Sequence, residues 1–201
     1  KVEKEFNVEK EIILALWSIE TNYGQNFGKM DIISSLATLS FDKRRSAYFT
    51  KELLTLLSLM DKGIVNKKML YGSWAGALGN FQFMPSTIVN YGLDYDNDNK
   101  IDLKKSLFDS VASAANYINK IGWKKNQPCF IKVDLSKNTP LDLLNTSAKK
   151  IHSKKEFNYL KKYILTNENF DIDDNLVGAI ITPDKDIVPN SENLEPAFIV
   201  F

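Results

Sequence analysis

Glu20 is the residue of this sequence with the clearest capacity for acid chemistry. It follows Trp17 and Leu16 at helical spacing in an apolar stretch, so a helix there directs all three side chains toward one face. We expect this face to be covered and Gly24 to end the helix, and burial and the helix dipole both disfavour an ionised carboxylate. These effects predict a carboxylic acid that keeps its proton near neutral pH and can protonate a leaving oxygen. A Glu that simply reaches solvent past the helix end is an equal alternative.

A glycine-rich segment, residues 72–86, has the composition of a sugar-binding loop. Its small residues allow the backbone to approach a ligand closely, and Ser73, Asn80 and Gln82 offer neutral hydrogen-bonding groups among aromatic side chains. Tight helix packing, with the polar groups capping turns, explains the same composition equally well. No Lys-Ser/Thr pair follows the glycines, which argues against a phosphate-binding loop.

The acidic segment that begins at Asp94 has the spacing of a calcium-binding loop. The oxygen donors at loop positions one, three, five and seven would be the carboxylates of Asp94, Asp96 and Asp98 and the carbonyl of Lys100. Two residues depart from the pattern, because Asn99 replaces the glycine at position six and Lys105 replaces the glutamate at position twelve. Asp109 is the nearest later acid if the loop is longer. Crowded carboxylates repel one another without a cation, which favours calcium over a metal-free Asx turn.

Arg44 and Arg45 open a predicted helix that continues with Tyr48 and Phe49. Two cations in a first turn oppose the helix dipole, and an acidic or carbonyl-rich ligand would explain why they are there. A solvated helix start is the alternative. His152, among lysines on a predicted exposed face, is assigned no catalytic role.

Helical periodicity and caps predict a mainly α protein with a small α/β lobe. The predicted helices lie at about 8–22, 31–40, 45–61 and 106–121, with a short helix from Pro85. After residue 128 the pattern changes: 129–134 and 179–181 are strand-like, and 140–152 and 155–163 are helical.

Composition excludes several classes of function. The 201 residues suffice for one domain, or for one domain and a smaller lobe. Twenty-six basic and 25 acidic residues leave a net charge of +1, so no global field attracts nucleic acid or an anionic membrane. One Cys precludes an intramolecular disulfide, and one His excludes a His-rich metal site. No apolar run is long enough to span a membrane, and the first residues are not a signal peptide.

These segments, in this order, resemble the lytic transglycosylase B family of bacterial peptidoglycan-cleaving enzymes. The matching segments, within about residues 8–128, are 20–24, 37–41, 44–49, 72–86, the loop from Asp94, and 114–123. The resemblance implies a lysozyme-like helical catalytic domain over residues 1–128, with an EF-hand-like loop at 94–109. Residues 129–201 would form a small mixed α/β lobe, which we expect to continue beyond Phe201.

The resemblance also implies an activity and a set of site residues. The family cleaves the β-1,4 bond between N-acetylmuramic acid and N-acetylglucosamine without adding water, and the muramic C6 hydroxyl closes a 1,6-anhydro ring. Glu20 would be the single acid and base. The expected substrate-binding residues are Tyr23, Arg44, Arg45, Ser73, Asn80, Gln82, Phe83 and Tyr117. The expected ligands of a structural Ca2+ are Asp94, Asp96, Asp98, the Lys100 carbonyl and Asp109, and no catalytic cofactor is implied.

The expected partner is the peptidoglycan glycan strand, bound by a monomer in the bacterial periplasm or cell envelope, with the targeting segment absent from this sequence. Two alternatives remain open. A hydrolytic lysozyme needs a second carboxylate beside Glu20, for which Asp31, Asp42 and the acidic loop are the candidates. A non-catalytic peptidoglycan-binding module would keep the groove without the chemistry.

Overall fold

Helices form most of the first of two units into which the chain divides, Lys1–Lys125 and Asn126–Phe201. The computed structural model describes residues 1–66, 69–165, 170–183, 194 and 196–201. The first unit contains α1 (Val2–Phe6), α2 (Lys10–Thr21), β1 (Met30–Asp31), α3 (Ile32–Phe41), α4 (Ser46–Asp61), β2 (Tyr71–Gly72), α5 (Pro85–Tyr91) and α6 (Leu107–Lys120). None of the helices in the described part of the chain combines the length and the apolar character that a membrane crossing requires.

Local sequence signals explain where several of these helices begin. The Asp31 carboxylate accepts a hydrogen bond from the Ser34 amide at 2.7 Å and caps α3. Ser106 caps α6 in the same way, because its hydroxyl accepts from the Asp109 amide at 3.2 Å. Pro85 stands in the first turn of α5, where the N–H that proline lacks would have no partner within the helix.

An apolar core holds the first unit together and places the glycine-rich segment. Leu36 of α3, Leu56 of α4 and Ile88 of α5 are buried in this core. Burial of such a side chain stabilises the fold by about 1.5–3 kcal/mol. The antiparallel pairing of β1 with β2 sets Met30 opposite Gly72, so the glycine-rich segment starts beside the first turn of α3.

The second unit is built on a mixed sheet. Its elements are β3 (Phe130–Val133), β4 (Leu144–Asn145), β5 (Lys155–Glu156), α7 (Phe157–Leu160), β6 (Val177–Ile181) and β7 (Ala197–Val200), with 3-10 turns at Leu141–Leu143 and Lys161–Tyr163. The strand order is β3-β7-β6-β4, with β4 parallel to β6, the other neighbours antiparallel, and β5 antiparallel to β6. Ile180 lies opposite both Ile199 and Leu144, and Phe157 is buried in this unit's own core.

The predicted long helices of the first unit are present, but three predictions of local structure are wrong. α2 ends at Thr21 with Asn22 as its C-cap, so Gly24 is not the residue that ends the helix. Arg44 and Arg45 precede α4 instead of lying in its first turn, and Arg45 is its N-cap residue. The predicted helix at 140–152 is a 3-10 turn followed by β4, because the buried Asn145 side chain bonds to main-chain groups of neighbouring segments and draws this stretch into the sheet.

Candidate active site

Glu20 lies in the last turn of α2, and its side chain is exposed. The prediction that it is covered is therefore wrong. The cause is that the core covers α2 only in part: Ile13 and Thr21 are its buried residues, while Trp17 is only partly buried. In the described part of the chain, the Glu20 carboxylate forms no hydrogen bond and no ion pair. It is an isolated acid at the end of a helix.

A left-handed turn follows Glu20 immediately. Asn22, Tyr23 and Gly24 have φ angles of 48°, 56° and 79°, a conformation that glycine adopts freely, that asparagine tolerates and that is unfavourable for Tyr23. The Thr21 hydroxyl accepts a hydrogen bond from the Gly24 amide at 3.1 Å and donates one to the Asn80 carbonyl at 2.8 Å. The turn therefore reverses the chain beside Glu20 and is tied to the glycine-rich segment.

Asn80 lies underneath this turn as a buried hydrogen-bonding centre. Its side-chain oxygen accepts from the Trp17 indole at 2.9 Å. Its side-chain nitrogen donates to the Leu103 carbonyl at 3.1 Å and to the Ser110 hydroxyl at 3.0 Å. Only 4% of the residue is exposed. Burial and these internal bonds do not support the prediction that Asn80 binds sugar, because its amide is already used within the protein.

Ser73 and Gln82, by contrast, are half-buried and keep unused hydrogen-bonding capacity. The Ser73 hydroxyl accepts from the Ala75 and Ala77 amides at 3.3 and 3.0 Å. The Gln82 side chain donates to the Phe27 carbonyl at 3.3 Å, and its backbone φ is 50°. Within the described residues, the Ser73 proton finds no acceptor and the Gln82 amide oxygen finds no donor. Both groups cap turns, as the packing alternative predicted, and both can still bind a ligand.

Aromatic rings extend from the glycine-rich segment to α6. Phe83 and Tyr117 meet edge to face with 5.8 Å between ring centroids, and Tyr91 packs against Tyr117 at 5.1 Å. Phe83 is only 6% exposed and supports the Tyr117 ring from the core, which does not support direct contact with the glycan; that contact stays a prediction. Tyr23 is half-exposed, and its ring stands edge-on to Trp17 at 5.5 Å.

The two arginines take different roles. The Arg44 guanidinium donates hydrogen bonds to both carboxylate oxygens of Asp42, and this pair lowers the pKa of Asp42 to about 2. Arg45 instead lies over the rings of Tyr48 and Phe49, at 4.5 and 5.2 Å from their centroids. Cation–π contact of this kind leaves the edge of the guanidinium free to donate to a ligand.

The acidic loop forms a compact cluster of carboxylates. Oxygen atoms of Asp94, Asp96 and Asp109 all lie within 4.8 Å of one another. Asp98 is not part of this group; its carboxylate accepts from the Lys100 amide at 2.9 Å, which does not support its predicted role as a ligand. Asn99, at the position of the expected glycine, has φ 66°, a conformation that asparagine tolerates.

Asp109 closes this loop from inside the protein. It is completely buried, and its two oxygens accept hydrogen bonds from the amides of Tyr95 at 2.8 Å, Asp102 at 2.9 Å and Asp96 at 3.4 Å. Burial raises its pKa, and the nearby Asp96 carboxylate adds to the rise, while the three amides oppose it. Three converging carboxylates, one of them buried, are hard oxygen donors that fit calcium. The Lys100 carbonyl stays a prediction.

The carboxylates that a hydrolytic enzyme would need beside Glu20 are engaged elsewhere. Asp31 caps α3, and its amide contacts there lower its pKa. Asp42 is paired with Arg44. The acidic loop directs three of its carboxylates into the cluster and Asp98 toward Lys100. Asp102, the remaining acid of that loop, accepts hydrogen bonds from the Lys104 and Lys105 amides. Each of the three candidates therefore has partners within its own segment, and none of them forms a hydrogen bond to Glu20 in the described part of the chain.

The chain is similar to solved lytic transglycosylases along nearly its whole length. For SltB3 from Pseudomonas aeruginosa in complex with NAG-NAM-pentapeptide, the TM-score is 0.83 at 29% identity, over 99% of this chain and 51% of that chain. For Escherichia coli Slt35 in complex with calcium, the TM-score is 0.75 at 28% identity, over 99% of this chain and 59% of that chain. Membrane-bound lytic murein transglycosylase B of Escherichia coli (strain K12) is 40% identical over 121 residues. That alignment covers 60% of this chain and 33% of the relative, so the chain spans only part of the proteins it matches.

The fold and the solved structures similar to it place the chain in the class of lysozyme-like lytic transglycosylases, and the predicted mainly α fold with a small α/β lobe is confirmed. Residues 1–195 match the Transglycosylase SLT domain, and the chain belongs to that family. The resemblance found in the sequence is thereby confirmed.

Proposed function

We propose that this chain carries a lytic murein transglycosylase activity, which cleaves the β-1,4 bond between N-acetylmuramic acid and N-acetylglucosamine in peptidoglycan and leaves a 1,6-anhydromuramic end. The observation that carries the proposal is the isolated, exposed Glu20, with the candidate second carboxylates bound to other partners. Hydrolysis by a pair of carboxylates needs such a partner, whereas ring closure by the substrate's own hydroxyl does not. The first unit would be the catalytic one.

In the proposed reaction, Glu20 acts first as an acid and then as a base. Its carboxylic acid donates a proton to the glycosidic oxygen while the bond from that oxygen to muramic C1 breaks. The carboxylate then accepts the proton of the C6 hydroxyl as O6 bonds to C1 and closes the ring. The proton returns to Glu20, and no water is consumed. Because the side chain is exposed in the free chain, the bound glycan has to supply the burial that favours the protonated acid.

The substrate is proposed to lie along accessible groups of the first unit. Ser73 and Gln82 offer the unused donor and acceptor, Tyr117 and Tyr23 offer ring faces for sugars, and Arg45 offers a cation for a peptide or lactyl carboxylate. Arg44, already paired with Asp42, would contribute a weaker contact. Support comes from SltB3, which was solved with NAG-NAM-pentapeptide and with NAG-anhNAM-pentapeptide.

The acidic loop is proposed to hold a structural calcium ion through Asp94, Asp96 and Asp109, with the Lys100 carbonyl as a further ligand. The calcium complex of Slt35 supports this assignment. Calcium bound there would neutralise the cluster and keep the loop closed; it has no part in the reaction.

Since the relative from Escherichia coli is named a membrane-bound murein enzyme, we also propose a location in the bacterial periplasm or cell envelope. The monomeric state stays a prediction.

Mass spectrometry of fragments released from purified peptidoglycan tests the proposal. The chain should release products one water lighter than hydrolytic fragments, and Glu20→Gln should lower the rate by at least about 10³-fold, because the amide can neither donate nor accept the proton. Glu11→Gln, which changes an exposed glutamate in the first turn of the same helix, is the matched control and should stay active. Hydrated reducing ends would identify a lysozyme instead. Binding without any product would identify a non-catalytic module.

A further inference from the structure

We propose that Thr21 is a positioning residue for Glu20, an inference that rests on the proposed function. Thr21 follows Glu20 directly in α2 but is 1% exposed, so its side chain cannot contact a glycan. Its hydroxyl is placed where it can fix the direction in which the Glu20 carboxyl leaves the helix.

The Thr21 hydroxyl joins the end of α2 to the glycine-rich segment. The nearer acceptor for its proton is the Asn80 carbonyl at 2.8 Å, across 59 residues of sequence, and the Trp17 carbonyl lies farther away at 3.4 Å. It accepts the Gly24 amide at 3.1 Å, which lies at the far end of the left-handed turn. One oxygen atom therefore holds both the turn and the segment that carries Ser73 and Gln82.

A second bond makes this attachment rigid. One turn earlier on the same helix face, the Trp17 indole donates to the Asn80 side chain at 2.9 Å. Because Trp17 and Thr21 both hold α2 against Asn80, the helix cannot rotate about its axis without breaking one of the two bonds. Glu20, one residue before Thr21, projects from an adjacent direction and is exposed. Its orientation is thus set by the face that is tied down.

The turn needs this support. Tyr23 adopts positive φ, which is unfavourable for a residue with a bulky side chain, and a conformation of this kind persists only where surrounding contacts hold it. Gly24 approaches Asn80 so closely that a Cβ there would lie 2.8 Å from the Asn80 side-chain oxygen. Removal of the Thr21 hydroxyl takes away the acceptor of the Gly24 amide and so weakens the turn on the C-terminal side of Glu20, leaving its backbone hydrogen bonds in place.

Two substitutions separate positioning from simple stability. Thr21→Val keeps the shape and removes the hydroxyl, whereas Thr21→Ser keeps the hydroxyl and removes a methyl group. We expect kcat to fall about 10-fold or more in Thr21→Val, with KM within about twofold of the wild type, since small misplacement of a catalytic group lowers the rate steeply. Thr21→Ser should stay within about threefold of the wild-type kcat. Rates are measured well below the melting temperature of each variant, and Thr21→Ala replaces the valine if that variant does not fold.

Hydrogen exchange of the Gly24 amide provides a measurement independent of turnover. It should be about 10-fold faster in Thr21→Val than in the wild type and little changed in Thr21→Ser, because only the valine removes its acceptor. A wild-type kcat in Thr21→Val, an equal loss in the serine variant, or unchanged Gly24 exchange would overturn the inference while leaving the proposed function intact. A wild-type chain that releases no anhydro products would overturn the proposed function and this inference with it.

Discussion

Removal of the Asp109 carboxylate should destabilise the first unit strongly, by an amount that follows from its hydrogen bonds. In Asp109→Ala, the amides of Tyr95, Asp102 and Asp96 lose their acceptor inside the protein. An unsatisfied buried donor costs about 1–3 kcal/mol, and the 3.4 Å contact to Asp96 is weak, so we expect a loss of about 3–5 kcal/mol. Asp109→Asn can keep the oxygen that serves Tyr95 and Asp96 and lose only the bond from Asp102, which predicts about 1–3 kcal/mol.

Urea unfolding with and without calcium tests this prediction together with the proposed metal site. Calcium at 100 times its dissociation constant should stabilise the wild type by about 2.7 kcal/mol, and Asp109→Asn should lose most of this effect. Asp98→Asn is the matched control, because the Asp98 carboxylate belongs to the same loop but lies outside the three-carboxylate cluster. Calcium should therefore stabilise this variant as much as it stabilises the wild type. A calcium effect that survives in Asp109→Asn and disappears in Asp98→Asn would refute the structural assignment. No calcium effect in any form would make the loop a metal-free turn.

The raised pKa of Asp109 determines whether the stability of the first unit rises or falls with pH. A carboxyl whose pKa is higher in the folded state than in the unfolded state favours folding when protonated. In metal-free buffer this stabilisation is fully present below the ordinary value of 3.8 and is lost as the pH rises through the folded pKa. The stability of the wild type relative to Asp109→Asn should therefore fall over that range. A rise over the same range would contradict the burial argument.

Two further substitutions test interactions outside the acidic loop. Arg44→Gln should return the pKa of Asp42 from about 2 toward 3.8, measured by NMR titration; in the wild type, the stability from this pair is present above 3.8 and lost as the pH falls through about 2. An unchanged Asp42 titration would contradict this assignment. Glu52→Ala should cost about 2–4 kcal/mol in urea unfolding, because the buried carboxylate accepts from both the amide and the hydroxyl of Ser86. Glu52→Gln keeps one acceptor oxygen, so an equal loss of stability in both variants would argue against the hydrogen bonds to Ser86 as the cause.

The fold was predictable where the apolar pattern repeats over several turns. The helices ending near Phe41, Asp61 and Lys120 follow from such periodicity. α1, with five residues, is too short for a periodic signal. The stretch 140–152 was mistaken for a helix because the interaction that decides its structure, between Asn145 and the Ile180 carbonyl, joins residues 35 positions apart. Contacts between residues so far apart in sequence cannot be predicted from the local pattern of apolar residues.

The candidate site was predictable in its residue types but not in their burial. Both Asn80 and Gln82 are amides in one glycine-rich segment, and nothing in the sequence indicates that the first is buried and the second accessible. Asn80 turns inward because the Trp17 indole and the Leu103 carbonyl, from opposite ends of the first unit's sequence, meet it there. The same limit applies to Glu20, whose apolar neighbours predicted burial on a helix that the core covers only in part.

A residue that performs chemistry has to differ from its surroundings, whereas a residue that positions it does not. Glu20 stands out because a carboxylate is unusual among apolar residues, but Thr21 is an ordinary neutral residue at a helix end. Its importance comes from a single oxygen shared between the Gly24 amide and the Asn80 carbonyl. Asn80 is in turn bonded to the Leu103 carbonyl, which directly follows the residue whose amide is held by Asp109. The carboxyl proposed to react and the carboxyl proposed to bind calcium are therefore connected through neutral hydrogen-bonding groups.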